Sequence, residues 1–282
     1  MLRGTCLCGA VSWSIDGELE LAHSCHCSMC RKGHGTAYGA YASVETTGFR
    51  WTAGNEWIQI YRSSEWNGRP FCSRCGSAVP HPEPSGERVG VPLGPLEGHA
   101  ADFKLHAHIF VASKAPWHEI RDGLPQFAAW PPGYDFPERP TPDRGSKSPD
   151  RIAGSCLCGT VAYEVTPPLA GMRHCHCSRC RRARSAPHAS NAFCNLASFR
   201  YTRGESALRE WKVPEAQFFT QTFCSSCGSP MPRVSPERDL VVIPGGSFDD
   251  DPRVRPTEHI FAGSKASWFQ ISDDLPQHVE RS

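Results

Sequence analysis

Fourteen of the fifteen cysteines fall into three spacings, each used twice. Cys6-Leu-Cys8 and Cys156-Leu-Cys158 are C-x-C pairs; Cys72-Ser-Arg-Cys75 and Cys224-Ser-Ser-Cys227 are C-x-x-C turns. Cys25-His-Cys27-Ser-Met-Cys30 and Cys175-His-Cys177-Ser-Arg-Cys180 are C-x-C-x-x-C runs. Such short spacings point to metal ligation rather than to a disulfide framework, which a thiol-reducing compartment disfavours. Residues i and i+2 of an extended segment share a face, so each C-x-C presents two thiolates together. A C-x-x-C turn presents two more. Cys6, Cys8, Cys72 and Cys75 thus make the complement of a closed, tetrahedral structural zinc site, as do Cys156, Cys158, Cys224 and Cys227. The competing reading is a set of buried free thiols.

The remaining runs supply three thiolates each: Cys25, Cys27 and Cys30, then Cys175, Cys177 and Cys180. Three protein ligands and one open position describe a catalytic zinc. Three thiolates against a +2 ion leave a net −1, which suits holding an incoming thiolate better than generating hydroxide. The expected content is two zinc ions per domain and four per chain. The alternative is a closed site completed by His26 or His23, and by His176 or His174. Arg31, Lys32, Arg181 and Arg182 follow the third cysteines and could meet a substrate carboxylate or form a solvated basic turn. His108 and His259 read as core or orienting histidines rather than bases. Trp117 and Trp268 read as packing residues, and Cys194 as a buried thiol.

These groups sit in a duplicated frame. Gly4-Thr-Cys6-Leu-Cys8-Gly9-Ala-Val11 returns as Gly154-Ser-Cys156-Leu-Cys158-Gly159-Thr-Val161, and Phe71-Cys72 through Gly76-Ser77 returns as Phe223-Cys224 through Gly228-Ser229. His108-Ile-Phe110 returns as His259-Ile-Phe261. Two copies make a tandem duplication rather than a solenoid. Residues 131–150 hold six prolines and read as a semi-rigid linker between a first domain, 1–130, and a second, 151–282. Short alternating runs at Val11–Ile15, Trp57–Tyr61, Val161–Val165 and Leu240–Ile243 predict strands, and no long apolar stripe at helical spacing is present. Each copy is expected to be a small all-β domain tied down by its metal sites.

Composition narrows the function. Hydrophobic residues are 39% and charged residues 21%, with mean hydropathy −0.43, as in an ordinary globular protein. The first 150 residues carry a formal charge of −2 and the rest +3, so neither half has the basic balance of a nucleic-acid binder. No run of 18 apolar residues is present, which argues against a membrane span. The first motif begins almost at Met1, leaving no room for a signal peptide, and the cytoplasm is the expected compartment.

The order G-x-C-x-C-G-x-V, C-H-C-S-x-C-R, F-C-x-x-C-G-S and H-I-F with a following Trp resembles the glutathione-dependent formaldehyde-activating enzyme family, which includes centromere protein V. The resemblance covers nearly all of both copies. It implies a β-tent fold with two zinc sites per domain, structural zinc on the outer cysteine pairs and catalytic zinc on the middle three. The activity it implies is formation and breakdown of S-(hydroxymethyl)glutathione, a carbon–sulfur lyase reaction. The partners implied are a glutathione-like thiol and an aldehyde. The second copy departs after its third cysteine: Gly33 and Gly35 are replaced by Ala183 and Ser185, which predicts a narrower or reshaped second pocket.

Two readings follow: a lyase acting on thiol–aldehyde adducts, or a non-catalytic zinc-stabilised binding or scaffold module. A sulfoxide reductase would need a redox cysteine outside the metal motifs, where only Cys194 is spare. A nucleobase deaminase would need an H-x-E that neither copy has. The two copies could also pack as an intrachain pseudo-dimer.

Overall fold

The computed structural model describes residues 1–65, 67–83, 85–97, 103–133, 144–145 and 148–281. Most of the expected linker, 131–150, lies outside these residues. The described chain is all-β apart from two seven-residue α-helices and short 3-10 turns. Strands at Ser12–Ile15, Ile58–Arg62, Ala162–Val165 and Leu240–Pro244 fall within a residue of their expected positions.

In the first copy, Leu2–Thr5, Ser12–Ile15 and Phe49–Ala53 pair antiparallel in one sheet, closed at its edge by Leu96–Glu97. The alternation in Ser12–Ile15 turns Trp13 and Ile15 inward, both 1% exposed. A Cβ on Gly4 would lie 2.2 Å from the Trp13 ring, so the glycine of the first motif makes room for that indole. Gly154 serves Tyr163 in the same way. A second sheet runs Ala107–Ile109, Glu20–Cys25, Gly39–Glu45, Arg88–Pro92 and His81–Pro82; its first pair is parallel. The hairpin Ile58–Arg62 with Gly68–Cys72 delivers the C-x-x-C turn. The second copy repeats this plan with one difference: where the first has the edge strand Leu96–Glu97, the second has a single bridge between Gly154 and Phe248.

The helices were not expected. Helix α1 (Ser28–His34) and helix α2 (Ser178–Arg184) each begin inside the C-x-C-x-x-C run and are too short to show an apolar period. They lie at the contact between the copies, which form one intrachain pseudo-dimer with a shared apolar core. Lys32 of α1, 6% exposed, reaches into the second copy and donates to the Ser155 carbonyl at 2.8 Å and to Asp249 at 2.7 Å. Arg181 donates to the Gly94 carbonyl, and Arg182 pairs with Glu97. Three of the four basic residues after the third cysteines thus join the copies. They form neither a solvated turn nor a carboxylate site.

The motif residues Phe and Gly of F-C-x-x-C-G also meet across this contact. Gly76 and Gly228 adopt φ of +75° and +72°, and a Cβ on either would lie 2.5 Å from the ring of Phe223 or Phe71, respectively, in the other copy.

Candidate metal centres

The outer cysteines converge as their spacing predicts. Cys6, Cys8, Cys72 and Cys75 gather their four sulfurs within 4.8 Å of one another, and so do Cys156, Cys158, Cys224 and Cys227. All fifteen cysteines are free thiols. The gaps Cys6–Cys8 (3.5 Å), Cys8–Cys72 (3.7 Å) and Cys158–Cys224 (3.8 Å) match the edge of a tetrahedron with metal–sulfur bonds of about 2.3 Å, which is roughly 3.8 Å. Each turn also aims backbone at sulfur, with the Val11 N–H donating to Cys6 Sγ at 3.3 Å and the Val161 N–H to Cys156 Sγ at 3.2 Å. Ser77 and Ser229 accept the N–H groups of Leu7 and Leu157, locking the C-x-C loop onto the C-x-x-C turn. The donor set therefore fits zinc.

The middle cysteines also converge, as two sets of three. Cys25 ends the strand Glu20–Cys25, and Cys27 caps α1, its sulfur accepting the Cys30 N–H at 3.4 Å. Cys175, Cys177 and Cys180 repeat the arrangement on Gly171–Cys175 and α2. Cys25–Cys27 and Cys175–Cys177 are both 3.6 Å apart. Sulfurs this close compete for charge. Hydrogen bonds from Cys25 and Cys30 hold Cys27 well below the usual thiol range, while the bond to Cys27 pushes Cys25 well above it. Cys177 is lowered to about 3 by its bonds to Cys175 and Cys180. A divalent cation among the sulfurs would let all three ionise. Among the described residues, no fourth Cys, His, Asp or Glu ligand atom joins either set.

The histidines offered as fourth ligands have other partners. His26, fully buried, places Nε2 at 2.9 Å from His108 Nδ1, and His108 Nε2 meets Asp122 at 3.0 Å. His176, His259 and Asp273 form the same chain at 2.8 and 2.9 Å. His23 places Nδ1 against the Leu21 carbonyl, and His174 against Ser190. His108 and His259 are thus buried, hydrogen-bonded histidines beside the cysteine runs. Trp117 and Trp268 are buried packing residues, 3% and 9% exposed, and Cys194 is a buried thiol.

In the first copy the three sulfurs face a cavity of about 720 Å³. Its walls include Arg69, Tyr41, His81, Phe127 and Trp130, and the knuckle residues Cys227 and Gly228 of the second copy reach it as well. Arg69 places Nη1 3.8 Å from Cys30 Sγ. Burial opposes its charge, but the sulfurs of Cys30 and Cys27 outweigh that and hold it cationic. Were zinc held by the three thiolates, this guanidinium would offset their net −1. Tyr41 Oη meets His34 Nε2, and burial keeps the phenol protonated. Arg69 escaped the sequence reading, because Gln221 replaces it in the second copy and no motif marks it.

The two replaced glycines have different places. Gly35 ends α1 at φ +63°, and a Cβ there would lie 2.8 Å from Pro230 of the second copy. Ser185 takes the same left-handed turn at φ +49° and donates its hydroxyl to the Ala78 carbonyl. The Gly35-to-Ser185 exchange therefore shapes the contact between the copies, whereas Gly33, replaced by Ala183, lines the first cavity.

No helix among the described residues is long and apolar enough to cross a membrane. None of the curated proteins matches this chain. A crystal structure of a Rhodobacter sphaeroides protein, a Northeast Structural Genomics target, is 32% identical to it, covering 34% of this chain and 88% of that one with a TM-score of 0.29. The family model described as glutathione-dependent formaldehyde-activating enzyme matches residues 1–113 and again 151–264. The chain belongs to the glutathione-dependent formaldehyde-activating enzyme family, with one family unit in each of its two copies.

Proposed function

We propose that the protein is a carbon–sulfur lyase and synthase acting on adducts of a low-molecular-weight, glutathione-like thiol with an aldehyde. The observation that carries this reading is the cavity of about 720 Å³ that opens onto Cys25, Cys27 and Cys30, a ligand set one short of a tetrahedron. Zinc held by these cysteines would bind and stabilise a thiolate at its remaining position.

The chain's own groups do the rest. Arg69 offers guanidinium donors beside the sulfurs, where a substrate carboxylate or the oxygen of the forming hydroxyl can accept them. Phe127 and Trp130 wall the cavity with apolar surface and limit its water. In the forward direction the thiol sulfur bonds to the carbonyl carbon, and the carbonyl π pair takes up the proton lost by the thiol. Cleavage reverses this, and no electrons are gained or lost overall. The uncatalysed addition is already feasible, so holding thiol and aldehyde together accounts for most of the expected gain. A cytosolic, thiol-rich compartment suits this chemistry.

The test is exchange between carbon-13 formaldehyde and its glutathione adduct, followed by NMR with zinc-loaded protein. Acceleration that disappears in Cys30→Ala, with the fold retained, supports the reading. Full activity in that variant refutes the mechanism, and no acceleration by the wild type argues for the scaffold module instead.

A further inference from the structure

The two three-cysteine centres share their sulfur geometry but not their surroundings. Matched by motif, His34 corresponds to Arg184, Arg69 to Gln221, Tyr41 to Asn191 and Asn67 to Phe219. The arginine among these positions has therefore changed sides. In the first copy it comes from strand Gly68–Cys72 and lines the cavity. In the second it comes from the end of α2, where Arg184 is 8% exposed and donates to Gln221 Oε1 at 3.0 Å and to Asn191 Oδ1 at 3.3 Å. Phe219 and Phe261 pack against the buried cluster that holds Cys175 and Cys180. The aromatic wall is missing as well, since Phe127 and Trp130 correspond to His278 and Arg281.

A small cleft of about 120 Å³ lies on the equivalent strands at Phe218, Thr220 and Arg233, and it touches no cysteine. Pockets that enclose small molecules run from about 300 to 1,000 Å³, a range that holds the first cavity and excludes this cleft. Cys27 and Cys177 are both partly exposed, so each centre keeps access to solvent, and what differs is the set of side chains around it.

We propose that the chain has one substrate pocket, in the first copy, and that the second three-cysteine centre is structural, with Arg184 and Phe219 in the place a ligand would take. The second copy still serves the pocket, because its knuckle residues Cys227 and Gly228 form part of the first cavity's wall. The proposal rests on the reading above for the nature of the thiol, and on geometry alone for the number of pockets.

The dye 8-anilinonaphthalene-1-sulfonate tests the number independently, since its sulfonate suits Arg69 and its rings suit Phe127 and Trp130. Titrated into the zinc-loaded full chain, it should bind at one equivalent. Its Kd should rise at least tenfold in Arg69→Gln and in Trp130→Ala, the latter a pocket-wall change that serves if the former does not fold, and stay unchanged in Arg184→Gln. The double variant Arg184→Gly with Phe219→Asn should gain a second equivalent. Two equivalents in the wild type, none, or one that ignores Trp130→Ala overturns the single pocket. Glutathione is then added as competitor. If it fails to displace a single bound dye, the thiol reading falls while the single pocket stands.

Discussion

Lys32 and Asp249, one from each copy, meet at 2.7 Å with side chains 7% and 6% exposed. Burial pulls the Lys32 ammonium below its usual range, and the carboxylate beside it pushes the other way. Removing one partner leaves the other charge buried and alone, which costs about 3–5 kcal/mol. Lys32→Met should therefore lower stability by that order in urea unfolding. The double variant Lys32→Met with Asp249→Leu should recover much of the loss. Equal losses in both would mean that the pair itself, rather than the orphaned charge, holds the copies together.

The Phe71–Gly228 contact makes a second, more local prediction. A methyl group on Gly228 would meet Phe71 at 2.5 Å from a backbone at φ +72°. Gly228→Ala should cost at least about 1–3 kcal/mol through overpacking and backbone strain. Adding Phe71→Ala should cost less than the sum of the two single changes, as a double-mutant cycle by thermal melting would read. Additive losses would mean that the two residues are independent.

Metal content separates the two kinds of centre. The zinc-loaded chain should hold four ions. Cys72→Ser should lose one ion and with it much of the first copy's cooperative melting, because the tetrathiolate joins segments 64 residues apart. Cys30→Ala should also lose one ion, yet keep its far-ultraviolet circular dichroism. A chain that binds only two ions, on the outer cysteines, would contradict the assignment of the middle sets.

Acid should loosen the contact between the copies. His34 is 1% exposed and lies at that contact, its Nδ1–H donating to the Arg184 carbonyl at 2.6 Å. Burial lowers its pKa to about 4, against the ordinary 6.5 of an unfolded chain. The unfolded state thus binds more protons between pH 6.5 and 4, so the native state is favoured above 6.5 and loses stability as pH falls through that window. The slope due to His34 approaches about 1.4 kcal/mol per pH unit. His118, also lowered to about 4 by burial, adds to it. Urea midpoints measured from pH 7.5 to 4.5 should fall accordingly, and less steeply in His34→Gln if that variant folds. A flat profile over this range would contradict the prediction.

Cysteine spacing made the candidate groups legible, because a C-x-C strand end and a C-x-x-C turn each bring their own sulfurs together through local geometry. Duplication, strand positions and the all-β class were legible for the same reason, since alternation and repeated motifs act over a few residues. The helices were not, because seven residues cannot display a helical period. Nor was the fate of Lys32, Arg181 and Arg182, whose partners lie 80 to more than 200 residues away in the other copy. The sequence by itself determined which atoms could hold metal. Only the tertiary structure decided what surrounds each centre, because Arg69 meets Cys30 from strand Gly68–Cys72 while Arg184, at the end of α2, bonds Gln221 and Asn191, and the aromatic wall of the first cavity is brought in from a distant segment.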